Sequence, residues 1–288
     1  MIRQFIGWRM FSALVIGCAF LGASLERSDA AGPSIPASPA KVLPFPGTVF
    51  QVGGHDAFLI APERAAGGGS STAPRGGRAW VWYTPTLPGL PGPEERWMFQ
   101  RFLDAGIAIA GVDAGESYGS PDGNRVFDAF FREVTGHRGL TPRAVFLARS
   151  RGGLMAFSWA SEHPRSVAGI AGIYPVCNLA SYPGLVKGAP AYHLEPEALQ
   201  RHLARYNPID RLRPLARARV PLFLLHGDID TLVPLEANSG ELASRYRALK
   251  GPVDLQIAHG QGHNMWTGFF ECGPLVEFVI RNATAGAR

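Results

Sequence analysis

Two rhythms of apolar and polar positions run along the chain. The first is a set of short runs that predict strands, apolar at nearly every position in Ala79–Tyr83, Ile107–Val112, Ala144–Leu147, Val167–Ile173 and Pro221–Leu225, and at alternate positions in Val253–Ile257. The second is a helical spacing between those runs. It predicts helices over Glu94–Ala105, Arg125–Thr135, Gly152–Glu162, Glu236–Leu249 and Pro274–Asn282, with Trp97, Phe99, Phe102 and Leu103 as the core contacts of the first. Strands apolar on both sides, each separated by a helix, imply a mostly parallel sheet covered on both faces, an α/β class. Two earlier runs, Thr48–Val52 and Ala57–Ala61, flank Gly53-Gly54 and predict an antiparallel hairpin at the sheet edge. Residues 174–219 break the rhythm with a Pro-rich turn, a helix near Glu195–Arg205 and Asn207-Pro-Ile-Asp210, which read as a small cap inserted in the sheet domain.

The ends and loops add organisation. Arg3 and Arg9 precede an apolar stretch from Phe11 to Ala23, too short to span a bilayer comfortably, and Ser28-Asp29-Ala30 supplies a small-x-small site. Residues 1–30 therefore read as a secretory signal, which places the protein outside the cytoplasm, periplasmic or extracellular, with no stable membrane span after cleavage. Val15-Ile16-Gly17-Cys18 resembles a bacterial lipobox and leaves lipidation at Cys18 as an alternative. Residues 31–46, rich in Ala, Pro and Ser, read as a linker, and 47–288 as one domain. Gly67-Gly-Gly-Ser-Ser71 lies in a loop over 63–77 and lacks the Lys-Ser/Thr of a phosphate cradle. The formal charge is +5, yet only Lys41, Lys187 and Lys250 are lysines and no basic cluster interleaves with aromatics, which argues against nucleic-acid binding.

Chemistry enters at Val145-Phe-Leu-Ala-Arg-Ser-Arg-Gly-Gly-Leu-Met-Ala-Phe157, an apolar run that turns into a helix pattern with Ser150 at the junction. Ala148-Arg149-Ser150-Arg151-Gly152 is small-x-Ser-x-Gly, the layout of a nucleophile elbow. Small neighbours are needed because a strand-to-helix turn that sharp leaves no room for large side chains, and the serine takes a strained backbone conformation. Two further motifs follow later strands: His226-Gly-Asp-Ile-Asp-Thr-Leu-Val-Pro234 and His259-Gly-Gln-Gly-His-Asn-Met-Trp266.

With these three motifs in the order serine, acid, histidine, the chain resembles the α/β-hydrolase family over roughly residues 47–282. The resemblance implies Ser150 as nucleophile and His263 as the base that takes its proton, with His259 the competing histidine. The family pattern His-Gly-x-x-Asp-x-x-Val-Pro selects Asp230 as the acid that orients the imidazole, with Asp228 the competitor. His55, His137, His163, His193, His202 and His226 read as structural or exposed. No His-Glu-x-x-His or Cys-x-x-Cys spacing is present, so neither a metal nor another cofactor is expected.

The oxyanion hole implied by the family needs two donors. The backbone N–H of Arg151 is one; the loop after Ala79–Tyr83 should supply the other. That loop departs from the family pattern: it has no His-Gly-Gly, and Pro85 has no N–H, which leaves Thr86. Ser150-Arg151-x-Gly153 also resembles, loosely, the Ser-Arg-x-Gly of glucuronoyl esterases, where that Arg lies near the oxyanion; the rest of the chain does not match that family. Ion pairing away from the reaction is the other reading of Arg149 and Arg151. Asp113-Ala-Gly-Glu-Ser-Tyr-Gly-Ser-Pro121 takes the place of a family loop that packs beside the elbow. Glu116, Tyr174 and Trp266 are candidate pocket residues.

The expectation is a secreted serine hydrolase that cleaves a carboxylic ester, of a small molecule or a saccharide, through an acyl-enzyme. The alternatives are a prolyl-oligopeptidase-like peptidase, since short members of that group share the His-Gly-x-x-Asp and Gly-His signatures, and a non-catalytic binding protein on the same fold. Once residues 1–30 are removed two cysteines remain, Cys177 and Cys272. Both follow predicted strands toward the same sheet edge, so they read either as one disulfide or as two separate thiols.

Overall fold

In the strand Trp80–Thr84 (β3) every residue is buried, and successive side chains enter different cores: Trp80 and Trp82 one, Val81 and Tyr83 the other. This alternation is the strand period of two, and it sets the architecture. The first core joins the two tryptophans to Phe127, Phe130 and Val134 of a helix over Pro121–His137 (α2), to Phe157 and Trp159 of Gly152–Glu162 (α3), and to Leu242 and Tyr246 of Glu241–Ala248. The second joins Val81 and Tyr83 to Met98, Phe99 and Phe102 of Arg96–Asp104 (α1) and to Leu275, Phe278 and Val279 of Gly273–Gly286. Trp82 stacks on Phe146 at 4.7 Å and tilts against Trp159 at 4.9 Å, so large aromatics fill the first core.

The computed structural model describes residues 41–63 and 76–287. The signal reading over 1–30, Cys18, most of the linker and Gly67-Gly-Gly-Ser-Ser71 fall outside the described residues. Eight strands form one sheet: Thr48–Val52 (β1), His55–Ile60 (β2), β3, Ala108–Val112 (β4), Ala144–Arg149 (β5), Val167–Ile173 (β6), Leu222–Gly227 (β7) and Val253–Ala258 (β8). Their order is β1-β2-β4-β3-β5-β6-β7-β8. From β4 to β8 all pairs are parallel; β1 and β2 form an antiparallel hairpin at the edge, and β2 pairs antiparallel with β4. The mostly parallel sheet is the one the apolar runs imply, and its order agrees with the fold implied by the resemblance to α/β-hydrolases.

Several elements differ from the expectation. Helix α2 starts at Pro121, four residues before the expected Arg125, because Ser120 accepts a hydrogen bond from the Gly123 N–H and Pro121 takes the first helical position. Pro and Gly are breakers inside a helix but are tolerated in its first turn. The single helix expected near Glu195–Arg205 is two short ones, Pro196–Arg201 and Leu203–Tyr206, broken at His202. Helical turns at Arg213–Arg217 and Thr267–Phe270 are too short for periodicity to reveal. The part of the linker that is described, residues 41–46, packs on the body: Leu43 and Phe45 lie against the second core, and Lys41 Nζ donates to the Leu87 carbonyl at 2.8 Å.

The segment between β6 and β7 carries four short helices tied down by a third apolar cluster. Val176, Leu179, Ala189, Tyr192 and Leu199 meet Leu154 of α3, Val233 and Tyr118 there. Among the described residues no helix is long and apolar enough to cross a membrane.

Candidate active site

The carboxyl ends of β5, β6, β7 and β8 face one edge of the sheet, and each contributes a side chain to it. Ser150 follows β5 with φ +51, the left-handed region that a serine adopts only when its surroundings enforce it. Its N–H donates to the Ile173 carbonyl at 3.0 Å, and its own carbonyl accepts from Val176 and Gly153 at 2.8 and 2.9 Å. The turn is also sterically locked. A Cβ on Gly152 would lie 2.2 Å from the Thr84 carbonyl oxygen, so only glycine lets α3 start this close to β3.

The Ser150 hydroxyl lies 2.8 Å from Nε2 of His263, and Nδ1 of His263 lies 2.7 Å from Oδ2 of Asp230. The ring of His263 is 15% exposed and the Asp230 carboxyl is fully buried. Asp230 Oδ1 accepts the backbone N–H groups of Leu232 and Val233 at 3.0 and 2.8 Å, so four well-placed residues hold one carboxylate. Burial alone would push the Asp230 carboxyl up; hydrogen bonding from His226, His263 and the Val233 N–H outweighs it and holds it well below the usual carboxylate range. The carboxylate therefore fixes the imidazole with Nδ1 protonated and Nε2 turned to the serine.

The loops that carry the acid and the histidine are interlocked. A Cβ on Gly227 would lie 2.0 Å from the Gln261 carbonyl oxygen, and the Ile229 N–H donates to that same oxygen at 3.1 Å. The competing pair stands apart from the serine. His259 Nδ1 is 2.8 Å from Asp228 Oδ2, and Asp228 Oδ1 accepts the Gly260 N–H at 2.7 Å, all at the surface. Asp228 thus braces the histidine loop from outside.

A cavity of about 250 Å³ opens on Ser150 and His263. Its walls are Pro85 and Leu90 from the loop after β3, Tyr174 and Tyr182 from the segment after β6, Leu232 beside the acid, and Asn264 and Met265 beyond the histidine. Tyr174 has φ +35 and sets its ring 4.2 Å from that of His263. Burial pushes its phenol up to about 12, so it stays protonated and can donate.

Not every predicted pocket residue lies in that cavity. Thr86 is buried beside it: its hydroxyl donates to the Tyr83 carbonyl at 3.1 Å, and Pro85 fills the wall where Thr86 was expected. Trp266 is 44% exposed with its ring against Phe269, and the preceding residue, Met265, takes the place in the wall. Glu116 pairs with the Arg151 guanidinium at the rim rather than lining the cavity. The backbone N–H of Arg151, at the start of α3, has no acceptor among the described residues.

Arg149 is a cavity residue that the motifs do not place there. It ends β5 on the side of Val145 and Leu147, is 7% exposed, and lines the cavity. The alternation of the strand carries the signal: every second residue before it faces the second core. Its ion-pair partner there, Glu95, is fully buried. The cysteines lie in different cores, Cys177 in the first and Cys272 against the second, and both are free thiols. The bridge reading is overturned because the sheet lies between them. Among the described residues no three His, Cys, Asp or Glu side chains are grouped to hold a metal ion.

Comparison with known proteins places this arrangement in context. The model of the Prolyl oligopeptidase family matches residues 141–271, from just before β5 to just past His263. Among solved structures, MPT51 of Mycobacterium tuberculosis superposes with a TM-score of 0.64 at 11% identity, covering 82% of this chain and 98% of that one. Est1E from Butyrivibrio proteoclasticus gives 0.59 at 15% identity, covering 83% of this chain and 99% of that one. A puromycin-hydrolyzing peptidase of Mycobacterium tuberculosis gives 0.61 at 16% identity, but the chain spans only 39% of that protein. These identities carry the fold. The comparison with curated protein sequences returned no match.

Proposed function

We propose that the chain is a serine hydrolase of the α/β-hydrolase superfamily and that it cleaves carboxylic esters of small molecules or saccharides through an acyl-enzyme on Ser150. The observation that carries the reading is the unbroken chain of short hydrogen bonds from Ser150 Oγ to His263 (2.8 Å) and on to Asp230 (2.7 Å) beside an open cavity.

The chemistry follows from that chain. A serine hydroxyl is too weakly acidic to attack unaided. His263 Nε2 takes its proton as Oγ adds to the ester carbonyl carbon, and Asp230 stabilises the imidazolium that results. The Arg151 N–H, backed by the start of α3, receives the oxyanion. His263 then returns the proton to the departing alkoxide, which leaves as an alcohol. Water, deprotonated by the same nitrogen, splits the acyl-enzyme to a carboxylic acid and free Ser150.

One feature favours an ester over a peptide. Among the described residues the cavity lining offers no carboxylate to receive the terminal ammonium of a peptide, since its charged residues are Arg149 and Arg151 beside His263. The family match over 141–271 favours the second reading, a peptidase of prolyl-oligopeptidase type. Hydrolysis rates on aryl esters, acetylated sugars and peptide anilides separate the two: the ester reading requires turnover of esters with anilides uncleaved, and turnover of anilides at comparable kcat/KM would replace it. We also take residues 1–30 as an export signal; amino-terminal sequencing of the protein recovered outside the cytoplasm would find it starting at Ala31.

A further inference from the structure

The floor of the cavity beside Ser150 is a guanidinium that is only half used. Glu95, fully buried, accepts Nη1 of Arg149 at 2.7 Å. The same carboxylate accepts the Tyr83 hydroxyl at 2.7 Å and the Gly92 N–H at 2.8 Å, so its acceptor sites are filled by strong donors. Arg149 is not matched in the same way. Its Nη2 faces the thioether of Met265 at 3.0 Å; among the described residues Glu95 is its one charged partner, with the Tyr83 and Tyr174 hydroxyls near the same guanidinium. The Tyr174 hydroxyl points at the same sulfur from 3.9 Å. Two strong donors thus converge on one weak acceptor, inside a pocket that opens on the nucleophile.

That convergence is specific about what it lacks. A buried guanidinium is stabilised by oxygen acceptors, and a carboxylate is the group that offers two of them and brings no donor of its own. An alcohol or amide would bring hydrogens for which these two donors have no use. The charged side chains of the lining are two arginines and His263, and Glu95 is already neutralised, so no anion in the wall opposes a second one. Met265 is 51% exposed, and its unbranched side chain can swing out of the way. We propose that the ester cleaved at Ser150 carries a free carboxylate, which Arg149 and Tyr174 bind after it displaces the Met265 sulfur. This rests on the esterase reading above and names its substrate class.

The test is a pair of comparisons between isosteric esters, one member with a free carboxylate and one with a neutral methyl or amide end. One pair carries the group on the acyl half, as in an aryl hemiglutarate against an aryl valerate; the other carries it on the alcohol half. The proposal requires that the carboxylate member of at least one pair be favoured in kcat/KM by about tenfold or more, the order expected of a hydrogen bond to a charged group. Arg149→Met should lower kcat/KM for the carboxylate member at least tenfold more than for its neutral isostere. Because that variant strands Glu95, the paired variant Arg149→Met with Glu95→Gln keeps the site neutral and should show the same loss. Met265→Glu, at an exposed position, leaves both buried partners in place and tethers a carboxylate where the sulfur was; it should abolish the preference. Equal or better turnover of the neutral member in both pairs overturns the proposal, as does a preference that survives these variants. If a fluorophosphonate probe labels Ser150 while no ester of either kind is cleaved, it is the esterase reading that fails, and the proposal with it.

Discussion

Nε2 of His226 stands 3.4 Å from Oδ2 of Asp230, the same oxygen that receives His263 at 2.7 Å. His226 is fully buried, with Nε2 donating to the Val233 carbonyl at 2.8 Å and Nδ1 2.7 Å from the Ser239 hydroxyl. The acid is therefore gripped from both sides, and its removal should be felt at the serine. Asp230→Asn should lower kcat on the order of 10²–10⁴-fold, because the imidazole loses both its orientation and the partner for its charge. Asp228→Asn, which only loosens an exposed clamp on Gly260 and His259, should cost far less. Steady-state kinetics of both variants checks this, and the reverse ranking would move the acid to Asp228.

The depressed Asp230 carboxyl also makes a stability prediction. In the unfolded chain an aspartate takes up its proton near pH 3.9, whereas in the folded protein this one does so only at lower pH. Between those points the unfolded state binds more protons, so stability rises with pH. The contribution of Asp230 is fully present above the unfolded value and is lost as pH falls through about 4 toward the native one. Denaturant midpoints from pH 2 to 6 should fall more steeply on acidification for the wild type than for Asp230→Asn. Superimposable acid limbs would contradict the assignment.

The turn at Ser150 should tolerate no added carbon. Gly152→Ala sets a methyl 2.2 Å from the Thr84 oxygen, where backbone must move. The overpacking should cost about 1–3 kcal/mol and displace the nucleophile. The denaturant midpoint and the rate on an aryl ester report the two effects; a variant with wild-type values for both would show that the contact is not needed.

Much of this molecule is legible in its sequence, for a physical reason. Strands buried on both faces must be apolar throughout, so Ala108–Val112 and Val167–Ile173 stand out as runs. The turn at Ser150 needs small residues two positions to either side, Ala148 and Gly152, which marks it by composition. Between β6 and β7 the break in rhythm is legible but the individual helices are not: pieces as short as Leu185–Gly188 and Arg213–Arg217 have no period to detect, and a satellite apolar cluster holds part of the segment. The site divides in the same way. Tyr174 follows directly from a strand end, and its place in the wall can be read from that. Met265 and Trp266 differ by one position in a loop without periodicity, and only the fold decides that the sulfur faces the cavity while the indole lies outside it. Arg149 and Arg151 flank the serine symmetrically in sequence; strand alternation sends one inward to Glu95 and the other to the rim with Glu116.

The cysteines give a covalent check on the sheet. Cys177 sits in one core and Cys272 against the other, with burial pushing the Cys177 thiol far up and making it unreactive in the folded state. Alkylation after unfolding without reductant should label both residues, as read by peptide mass spectrometry. A Cys177–Cys272 linked peptide would contradict the placement of the two on opposite sides of the sheet.

Whether Ser150 is the nucleophile is decided by the turnover of one aryl ester by wild type and Ser150→Ala, with unfolding curves of both. For Ser150→Ala kcat should fall on the order of 10⁴ or more with an unchanged unfolding midpoint, since the serine and histidine act as a unit. A Ser150→Ala protein that turns over the ester at close to the wild-type rate would contradict it.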